Sequence, residues 1–238
     1  MSQRFFIDKP LDSKRVLLTG DQAHHASNVM RVQVGSQITL FDGKGSEFCC
    51  RVVRVLRKEV DLEVIQTIQI DRELETQLTF AIAVPKSERQ KFLIEKLVEL
   101  GVTRLIPWTA NRSVAVPNVK SLVRMRKQVI EASKQCERNR LMQIEDPMNL
   151  DRVIEQAANN NSDCRIFGDP DAETPIASVK SDSKSVLIVI GPEGGIDRQE
   201  SELLVKTRFQ AIRFGKSILR VETAAIAAAA ILGAGRSC

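Results

Sequence analysis

The stretch IVIGPEGGID (188–197) joins an apolar run to a loop that contains three glycines and one proline. A polar, helix-prone segment, RQESELLVK (198–206), follows the loop. Strand, glycine-rich loop and helix form the layout of many nucleotide and cofactor sites, because glycine backbone and the free N–H groups of a helix start approach a ligand closely. The stretch therefore predicts a ligand site at the end of a strand, but it does not identify the ligand.

Common nucleotide motifs do not fit this region. A Rossmann fingerprint needs GxGxxG, whereas Gly191, Gly194 and Gly195 are spaced GxxGG. A P-loop needs a glycine five positions before GKS (215–217), where Gln210 stands. The acidic residue expected about twenty positions after the first loop of an NAD site is also missing, since positions 208–214 contain no Asp or Glu.

A second loop of the same kind, FGKSILRVETA (214–224), follows an apolar segment and leads into an alanine-rich helix. Ligands of open α/β sheets bind outside the carboxyl ends of the strands, so we expect the two loops to meet at one pocket. Arg220 lies beside two apolar residues, which indicates a backbone that turns inward. Glu222 is either a functional acid or an ordinary first-turn acid that the helix dipole favours.

From residue 78 onward, strand-like segments alternate with helical ones. The predicted strands are 78–84, 102–108, 164–168, 185–191 and 211–215, and the predicted helices are 87–101, 119–136, 150–158, 198–206 and 221–235. Ser87 is the expected N-cap of the first helix, and Gly101 ends it. This alternation predicts an α/β fold in which helices cover both faces of a parallel sheet.

The first 70 residues instead have the pattern of short β-strands. Segments 36–41 and 47–56 flank the turn Asp42-Gly43-Lys44-Gly45, and 60–68 alternates apolar and polar residues. Three strands with tight turns predict a small antiparallel β-barrel. The polar segment 71–77 is the expected linker, so we expect a β-domain over 1–70 and an α/β domain over 74–238.

The charge of the chain favours an anionic partner. The formal net charge is +5 and the isoelectric point is about 9.0. Segment 118–140 contains seven Lys and Arg against two Glu, a local excess equal to that of the whole molecule. The segment is either a solvated helix face or a patch that contacts phosphates. Aromatic residues make up only 4% and tyrosine is absent, which argues against base-stacking platforms.

Neither a metal site nor a membrane segment is expected. The five cysteines (49, 50, 136, 164 and 238) have no CxxC spacing, and the only two histidines, His24 and His25, are adjacent. The N-terminus lacks the pattern of a signal peptide, and the longest apolar run, 224–234, is too short to cross a bilayer. We expect a cytoplasmic protein with reduced thiols and no disulfide framework.

Taken together, IGPEGG (190–195) and FGKSILRVETA (214–224) resemble the ribosomal RNA small-subunit methyltransferase E family of the SPOUT superfamily. HHASNVMRVQVGS (24–36), EKLVELGVTRLIPWTANRS (95–113) and ASKQCERN (132–139) are similar to further segments of that family. The chain departs from the family pattern at Phe214, at Val221 and after Cys136, where ERNR stands in a region that more often contains a glycine.

The resemblance implies an N-terminal PUA-like β-barrel, a C-terminal domain with a trefoil knot, and a homodimer. It also implies S-adenosylmethionine as methyl donor and N3 of one uridine in small-subunit (16S) ribosomal RNA as acceptor, in naked RNA or in an assembled 30S particle. The expected donor-binding residues are Gly191, Pro192, Gly194, Gly195, Ile196, Phe214, Gly215, Ile218 and Leu219. The expected RNA-binding residues are Arg4, Arg31, Arg112, Arg124, Lys127 and Arg138.

Methylation at N3 requires that the N3 proton leaves, and Glu193 and Glu222 are the nearby carboxylates able to accept it. Arg220 is too basic for that task and is expected to stabilise negative charge on the uracil oxygens. The small side chains Ala224, Ala225 and Ala227–Ala230 are the expected dimer face. Two other functions stay open: an RNA-binding module without catalysis, and a different nucleotide-dependent enzyme that uses the same glycine loops.

Overall fold

The computed structural model describes residues 3–8, 11, 14–112, 117–159, 162–179 and 183–234. These residues divide into two compact units, one formed by Met1–Glu73 and Ser133–Leu141, the other by Leu74–Ala132 and Met142–Cys238. The predicted end of the last helix at Gly235, the final cysteine, Cys238, and Ser113 of the 95–113 segment lie outside the described residues.

The described residues of unit 1 form five strands and two short helices. In chain order these are β1 (Arg4–Phe6), β2 (Arg15–Thr19), α1 (Gly20–His24), a π-helical turn (His25–Val29), β3 (Gln37–Phe41), β4 (Ser46–Val55) and β5 (Glu59–Gln69). The strands form one sheet in the order β1-β3-β4-β5-β2. Strands β1 and β3 are parallel and the other pairs are antiparallel.

All five strands contribute side chains to one apolar core, among them Phe5, Leu18, Leu40, Val52 and Leu62. The three predicted strands are present as β3, β4 and β5 and pair antiparallel as expected, but the sequence did not indicate the two short strands β1 and β2. Strand β1 has three residues and pairs with β3, which lies more than thirty positions later in the chain. Local periodicity cannot detect such a strand.

In unit 2, the part of the chain that the structure describes forms a six-stranded sheet and five helices longer than one turn. Its elements are β6 (Gln77–Ile82), α2 (Ser87–Glu99), β7 (Arg104–Pro107), α3 (Val119–Cys136), β8 (Gln143–Ile144), α4 (Leu150–Asn159), β9 (Cys164–Gly168), β10 (Ser185–Ile190), α5 (Arg198–Lys206), β11 (Gln210–Ile212) and α6 (Val221–Ala234). The strand order is β11-β9-β10-β6-β7-β8, and every pair is parallel. The predicted α/β class with a parallel sheet is confirmed.

The central strands β6 and β10 are buried on both sides, which explains their continuous apolar sequences. Helix α2 buries Leu93, Ile94, Leu97 and Val98. The sequence predicted Ser87 as the N-cap of α2, and this was wrong: Lys86 occupies the N-cap position. Ser87 is the first residue of the helix and has a left-handed φ of 58°. Gly101, at φ 80°, follows the helix end as expected.

Helix α6 packs against α2 and against β6 and β10. This packing buries Ala224, Ala225, Ala228 and Ala229 within the chain itself. Four of the six alanines expected at a dimer face are therefore already covered. Within the described residues, no helix combines the length and the apolar character needed to cross a membrane.

Candidate active site

A cavity of about 360 Å³ lies at the carboxyl ends of three neighbouring strands, β11, β9 and β10. We call it the loop cavity. Its lining includes all nine residues predicted to bind a donor: Gly191, Pro192, Gly194, Gly195, Ile196, Phe214, Gly215, Ile218 and Leu219. The rule that ligands bind at the carboxyl edge of a parallel sheet thus located the cavity correctly from the sequence.

The glycines of the first loop have separate structural reasons. A Cβ added at Gly191 would lie 2.7 Å from Ile196 Cγ1 and 3.0 Å from Ile196 N, so only glycine lets the loop close. Gly195 has a φ of 75°, and its N–H donates to Pro192 O over 2.8 Å. A Cβ at Gly195 or Gly215 would meet nothing within 4 Å, which means that both glycines border open space that a side chain would fill.

Hydrogen bonds at the start of α5, and others from residues that follow β7, fix the first loop in place. Asp197 caps α5: its Oδ1 accepts from Glu200 N over 2.8 Å, and Glu200 Oε2 accepts from Asp197 N over 2.9 Å. Asn111 donates from its backbone N to Glu200 Oε1 and from Nδ2 to Asp197 Oδ2, both over 2.7 Å. Arg112 Nη1 donates to Gly194 O over 2.9 Å.

The pKa of Asp197 is lowered, first by the hydrogen bond from the Glu200 backbone and then by the one from the Asn111 side chain. Trp108, which is buried, donates from Nε1 to Ile190 O over 2.9 Å and fixes the strand end from which the loop departs. The sequence predicted none of these four contacts from Trp108, Asn111 and Arg112, because they join positions more than eighty residues apart.

A third loop, formed by Gly168, Asp169, Pro170 and Asp171 after β9, also lines the loop cavity. It was not predicted, although an apolar strand that ends in glycine was the same signal that identified the other two loops. A Cβ at Gly168 would lie 2.9 Å from Phe214 Cε2, so the glycine allows the Phe214 ring to pack over this loop. Asp169 and Asp171 add two carboxylates to the cavity lining.

Of the three predicted catalytic residues, only Glu193 lines the loop cavity. Its Oε1 lies 2.9 Å from Arg89 Nη1, and the same nitrogen lies 3.8 Å from Glu222 Oε2. Glu222 is 7% exposed, and its Oε2 has no hydrogen-bond partner among the described residues. Arg220 is exposed at the start of α6. Arg89, which the sequence did not indicate, therefore connects the glycine loop to the buried acid of α6.

The predicted RNA-binding arginines differ in their surroundings. Arg31, Arg112, Arg124 and Lys127 are exposed. Arg4 is 5% exposed; its Nη1 donates to Glu47 over 2.7 Å and its Nη2 to Asn139. Arg138 is 4% exposed and donates from Nε and Nη2 to the Glu73 carboxylate. The guanidinium groups of Arg4 and Arg138 are thus buried against carboxylates of unit 1, whereas the other four predicted RNA-binding residues are open to a phosphate.

The sequences of both units match models of known protein families. Residues 72–233 match the model of an RNA methyltransferase domain, and residues 18–65 match that of an RNA methyltransferase PUA domain. The chain is 30% identical over 236 residues to a Bacillus subtilis protein named ribosomal RNA small subunit methyltransferase E, covering 93% of this chain and 92% of the relative. The chain belongs to the ribosomal RNA small subunit methyltransferase E family.

Two solved structures of similar proteins include a bound cofactor. One is a methyltransferase from Legionella pneumophila in complex with the cofactor SAM, 26% identical, with a TM-score of 0.91 and 98% of each chain covered. The other is a ribosomal RNA small subunit methyltransferase E from Neisseria gonorrhoeae bound to S-adenosyl methionine, 29% identical, with a TM-score of 0.88 and coverage of 97% of this chain and 96% of that one. Members of this family thus share the fold of the chain over almost its whole length.

Proposed function

We propose that the chain transfers a methyl group from S-adenosylmethionine to N3 of a uridine in small-subunit ribosomal RNA. The chain is an S-adenosylmethionine-dependent methyltransferase of small-subunit ribosomal RNA, as its family membership and its cofactor-bound relatives support. The observation on which the proposal mainly rests is the loop cavity, where three strand-end loops meet. N3 of uridine, the acceptor atom, is part of the proposal.

The loop cavity suits S-adenosylmethionine in size and in chemistry. Its volume lies within the range of roughly 300–1,000 Å³ that small-molecule sites have. Gly195 and Gly215 leave space that any side chain would occupy, so backbone can contact the adenosine part directly. Phe214 and Leu219 offer apolar surface for a base, and the Asp169 and Asp171 carboxylates offer acceptors for hydroxyl or ammonium groups.

S-adenosylmethionine, when bound, supplies an electrophilic methyl group. The chain must then orient uridine N3 for in-line attack, and positioning of this kind supplies a large part of a rate enhancement. Glu193 is the predicted acid that lines the cavity, and we propose that its carboxylate accepts the N3 proton. We propose that Arg220 stabilises the negative charge that develops on the uracil oxygens.

Glu222 has a different place in this proposal. Because it is buried and does not line the loop cavity, we reassign it from proton acceptor to positioning residue. Its charge lies near Arg89, and Arg89 contacts Glu193. Glu222 thereby keeps the Arg89 guanidinium next to the loop.

The decisive test is incubation of the purified chain and S-adenosylmethionine with small-subunit ribosomal RNA, both naked and as assembled 30S particles. Mass spectrometry of the digested RNA should detect 3-methyluridine. A methyl group on another atom of the uridine contradicts the N3 assignment while leaving the methyltransferase assignment intact. Calorimetric titration with S-adenosylmethionine, ATP and NAD separates this function from the two alternatives, an RNA-binding module and another nucleotide-dependent enzyme.

We further propose that the enzyme is a homodimer that acts in the cytoplasm, where its ribosomal substrate is found. The part of α6 left uncovered by its own chain contains Ile226, Ala227, Ala230 and Ile231, and Ile231 is 41% exposed. Small and apolar residues on one helical stripe favour close helix contact. Sedimentation should give a dimer at micromolar concentration, and Ala230→Arg should give a monomer. A wild-type monomer contradicts this part of the proposal.

A further inference from the structure

A second cavity, of about 540 Å³, lies where β6 ends and α2 and α3 begin. We call it the cationic cavity, because Lys86, Lys120 and Arg124 line it and none of its described lining residues is acidic. The remaining lining includes the polar side chains of Ser87, Gln90 and Ser121. Three positive charges without a carboxylate attract an anion.

The arginine of this cavity is held by a neutral partner. Arg124 Nη2 donates to Gln90 Oε1 over 3.1 Å, and Gln90 Nε2 donates to Ser121 Oγ over 3.3 Å. Gln90 is only 4% exposed, so its amide is a fixed support. An amide orients the guanidinium but leaves its charge uncompensated, whereas a carboxylate neutralises it. Arg126 of the same helix shows the contrast, since its Nη2 lies 3.6 Å from Asp146 Oδ1.

The cationic cavity and the loop cavity lie at the same edge of the sheet. Strands β6 and β10 are paired with Ile82 opposite Ile190, and neighbouring strands are about 4.8 Å apart. Val84, just past β6, lines the cationic cavity, whereas Ile190, at the end of β10, lines the loop cavity. Arg89 precedes Gln90 in α2 and forms its ion pair with Glu193 of the loop, so one helical turn contacts both sites.

We propose that the cationic cavity binds a backbone phosphate of the RNA substrate and thereby directs the neighbouring base toward the loop cavity. This inference rests on the proposed function and adds the residues that hold the acceptor strand. A phosphate suits the site because guanidinium groups bind its oxygens with two parallel hydrogen bonds and lysines add point charges. Left-handed Ser87, an unusual conformation for a residue with a side chain, lies in the same lining.

The test compares Lys120→Ala and Arg124→Ala with Arg198→Ala, a control on α5 that removes an exposed arginine paired with Glu202. A further variant, Gln90→Glu, keeps the shape of the support and places a negative charge against Arg124. Binding to small-subunit ribosomal RNA is measured at several salt concentrations, alongside calorimetric titration of S-adenosylmethionine and steady-state methylation. Thermal melting confirms that each variant is folded.

We expect each cavity variant to raise the KM for RNA at least tenfold and to leave the Kd for S-adenosylmethionine within twofold. The slope of the logarithm of the RNA-binding constant against the logarithm of the salt concentration should become shallower by about 0.7–0.9 for each phosphate that the variant no longer binds. The control should match the wild type in all three measurements. Unchanged RNA binding and KM in both alanine variants overturns the inference, as does a loss confined to S-adenosylmethionine binding.

The inference and the proposed function fail in different ways. If the wild type binds RNA through these cations but forms no methylated product, the proposed function is wrong and the phosphate site stands. If methylation proceeds and the cavity variants are equally active at low RNA concentration, only the phosphate site is wrong.

Discussion

Arg89 Nη1 lies 2.9 Å from Glu193 Oε1, so the first turn of α2 is ion-paired with the glycine loop that follows β10. Both side chains are nearly half exposed, and the pair alone contributes little to stability. Its significance is positional, because the same guanidinium faces the buried carboxylate of Glu222 from 3.8 Å. The loop, α2 and α6 therefore share one cation.

Arg89→Ala should slow methylation more than it weakens donor binding. Removing the guanidinium frees Glu193 and leaves Glu222 buried without its cation. Misplacement of a reacting group by about 1 Å costs up to roughly 100-fold in rate, so we expect a loss of about 10- to 100-fold in kcat. Arg89→Lys should recover part of the rate. Single-turnover kinetics with parallel calorimetry measures both effects, and equal losses in donor affinity and rate contradict a positioning role.

Gly215→Val should abolish donor binding and leave the fold intact. A side chain there enters open space in the loop cavity, and Gly215 is not among the glycines with positive φ. Gly195→Val should abolish donor binding as well, but with an added loss of stability, since a β-branched residue at φ 75° is strongly disfavoured. Titration with S-adenosylmethionine and thermal melting distinguish the two. Normal donor affinity in Gly215→Val shows that the donor lies elsewhere.

Arg220→Ala should keep donor affinity and lose methylation by roughly 10²- to 10³-fold, the usual effect of removing one preorganised electrostatic donor. Arg220→Lys should recover little if the contact is a bidentate one. Arg112→Ala is the informative comparison, because Arg112 donates to Gly194 O and its removal should loosen the donor loop. A loss of donor binding in Arg220→Ala assigns Arg220 to the donor site instead.

Acid should weaken unit 1 through Glu47. Burial raises the pKa of this carboxyl, but the hydrogen bonds and charges of Arg4 and Arg72 outweigh burial, so its pKa lies below the ordinary value of 4.5. A lowered pKa means that the stabilisation is fully present above about pH 4.5 and is lost as the pH falls through the folded-state value. Glu47→Gln, which removes the carboxylate shared by Arg4 and Arg72, should destabilise the protein by roughly 1–3 kcal/mol at pH 7.

The difference in the free energy of unfolding between wild type and Glu47→Gln should shrink as the pH is lowered below about 4.5. Urea unfolding at pH 7, 5, 4 and 3 measures it. A difference that stays constant with pH shows that the destabilisation arises from packing and not from the charge of the Glu47 carboxylate.

Glu137→Gly should stabilise the protein. Glu137 follows the end of α3 at a φ of 64°, a position that usually contains glycine. Its backbone carbonyl, which accepts from Arg4 and Arg72, is retained in the variant. The variant loses the pair between Glu137 Oε2 and Arg72 Nη2, but at 3.9 Å and with a half-exposed carboxylate that pair contributes little. Relief of the left-handed strain exceeds the added chain entropy by roughly 0.5–1 kcal/mol. Gln135→Gly, inside the helix, is the control and should destabilise by about 1 kcal/mol.

The sequence was sufficient to predict those parts of the fold and of the candidate site that depend on a local pattern of residues. Helix α3 begins and ends at the predicted residues, and the two glycine loops meet as the carboxyl-edge rule predicts. It was insufficient where a contact joins distant positions. Arg89 and Glu193 are 104 residues apart, and no periodicity relates them.

The sequence did not indicate which arginines are buried, for a related reason. Nothing in the sequence distinguishes Arg4 and Arg138 from exposed arginines, but in unit 1 both are buried and paired with Glu47 and Glu73. Composition measures the number of charges and not their partners. The departure from the family pattern after Cys136 was a signal of this, since Glu137, Arg138 and Asn139 belong to unit 1 and bond to Arg4, Arg72 and Glu73.

Helix α3 begins among the residues of unit 2 and ends among those of unit 1. A gene fragment that stops at residue 73 would therefore encode unit 1 without Asn139, the partner of buried Arg4. A fragment that starts at residue 74 would retain Arg138 without Glu73. A break in the chain between residues 73 and 74 therefore divides unit 1 itself and separates both buried pairs.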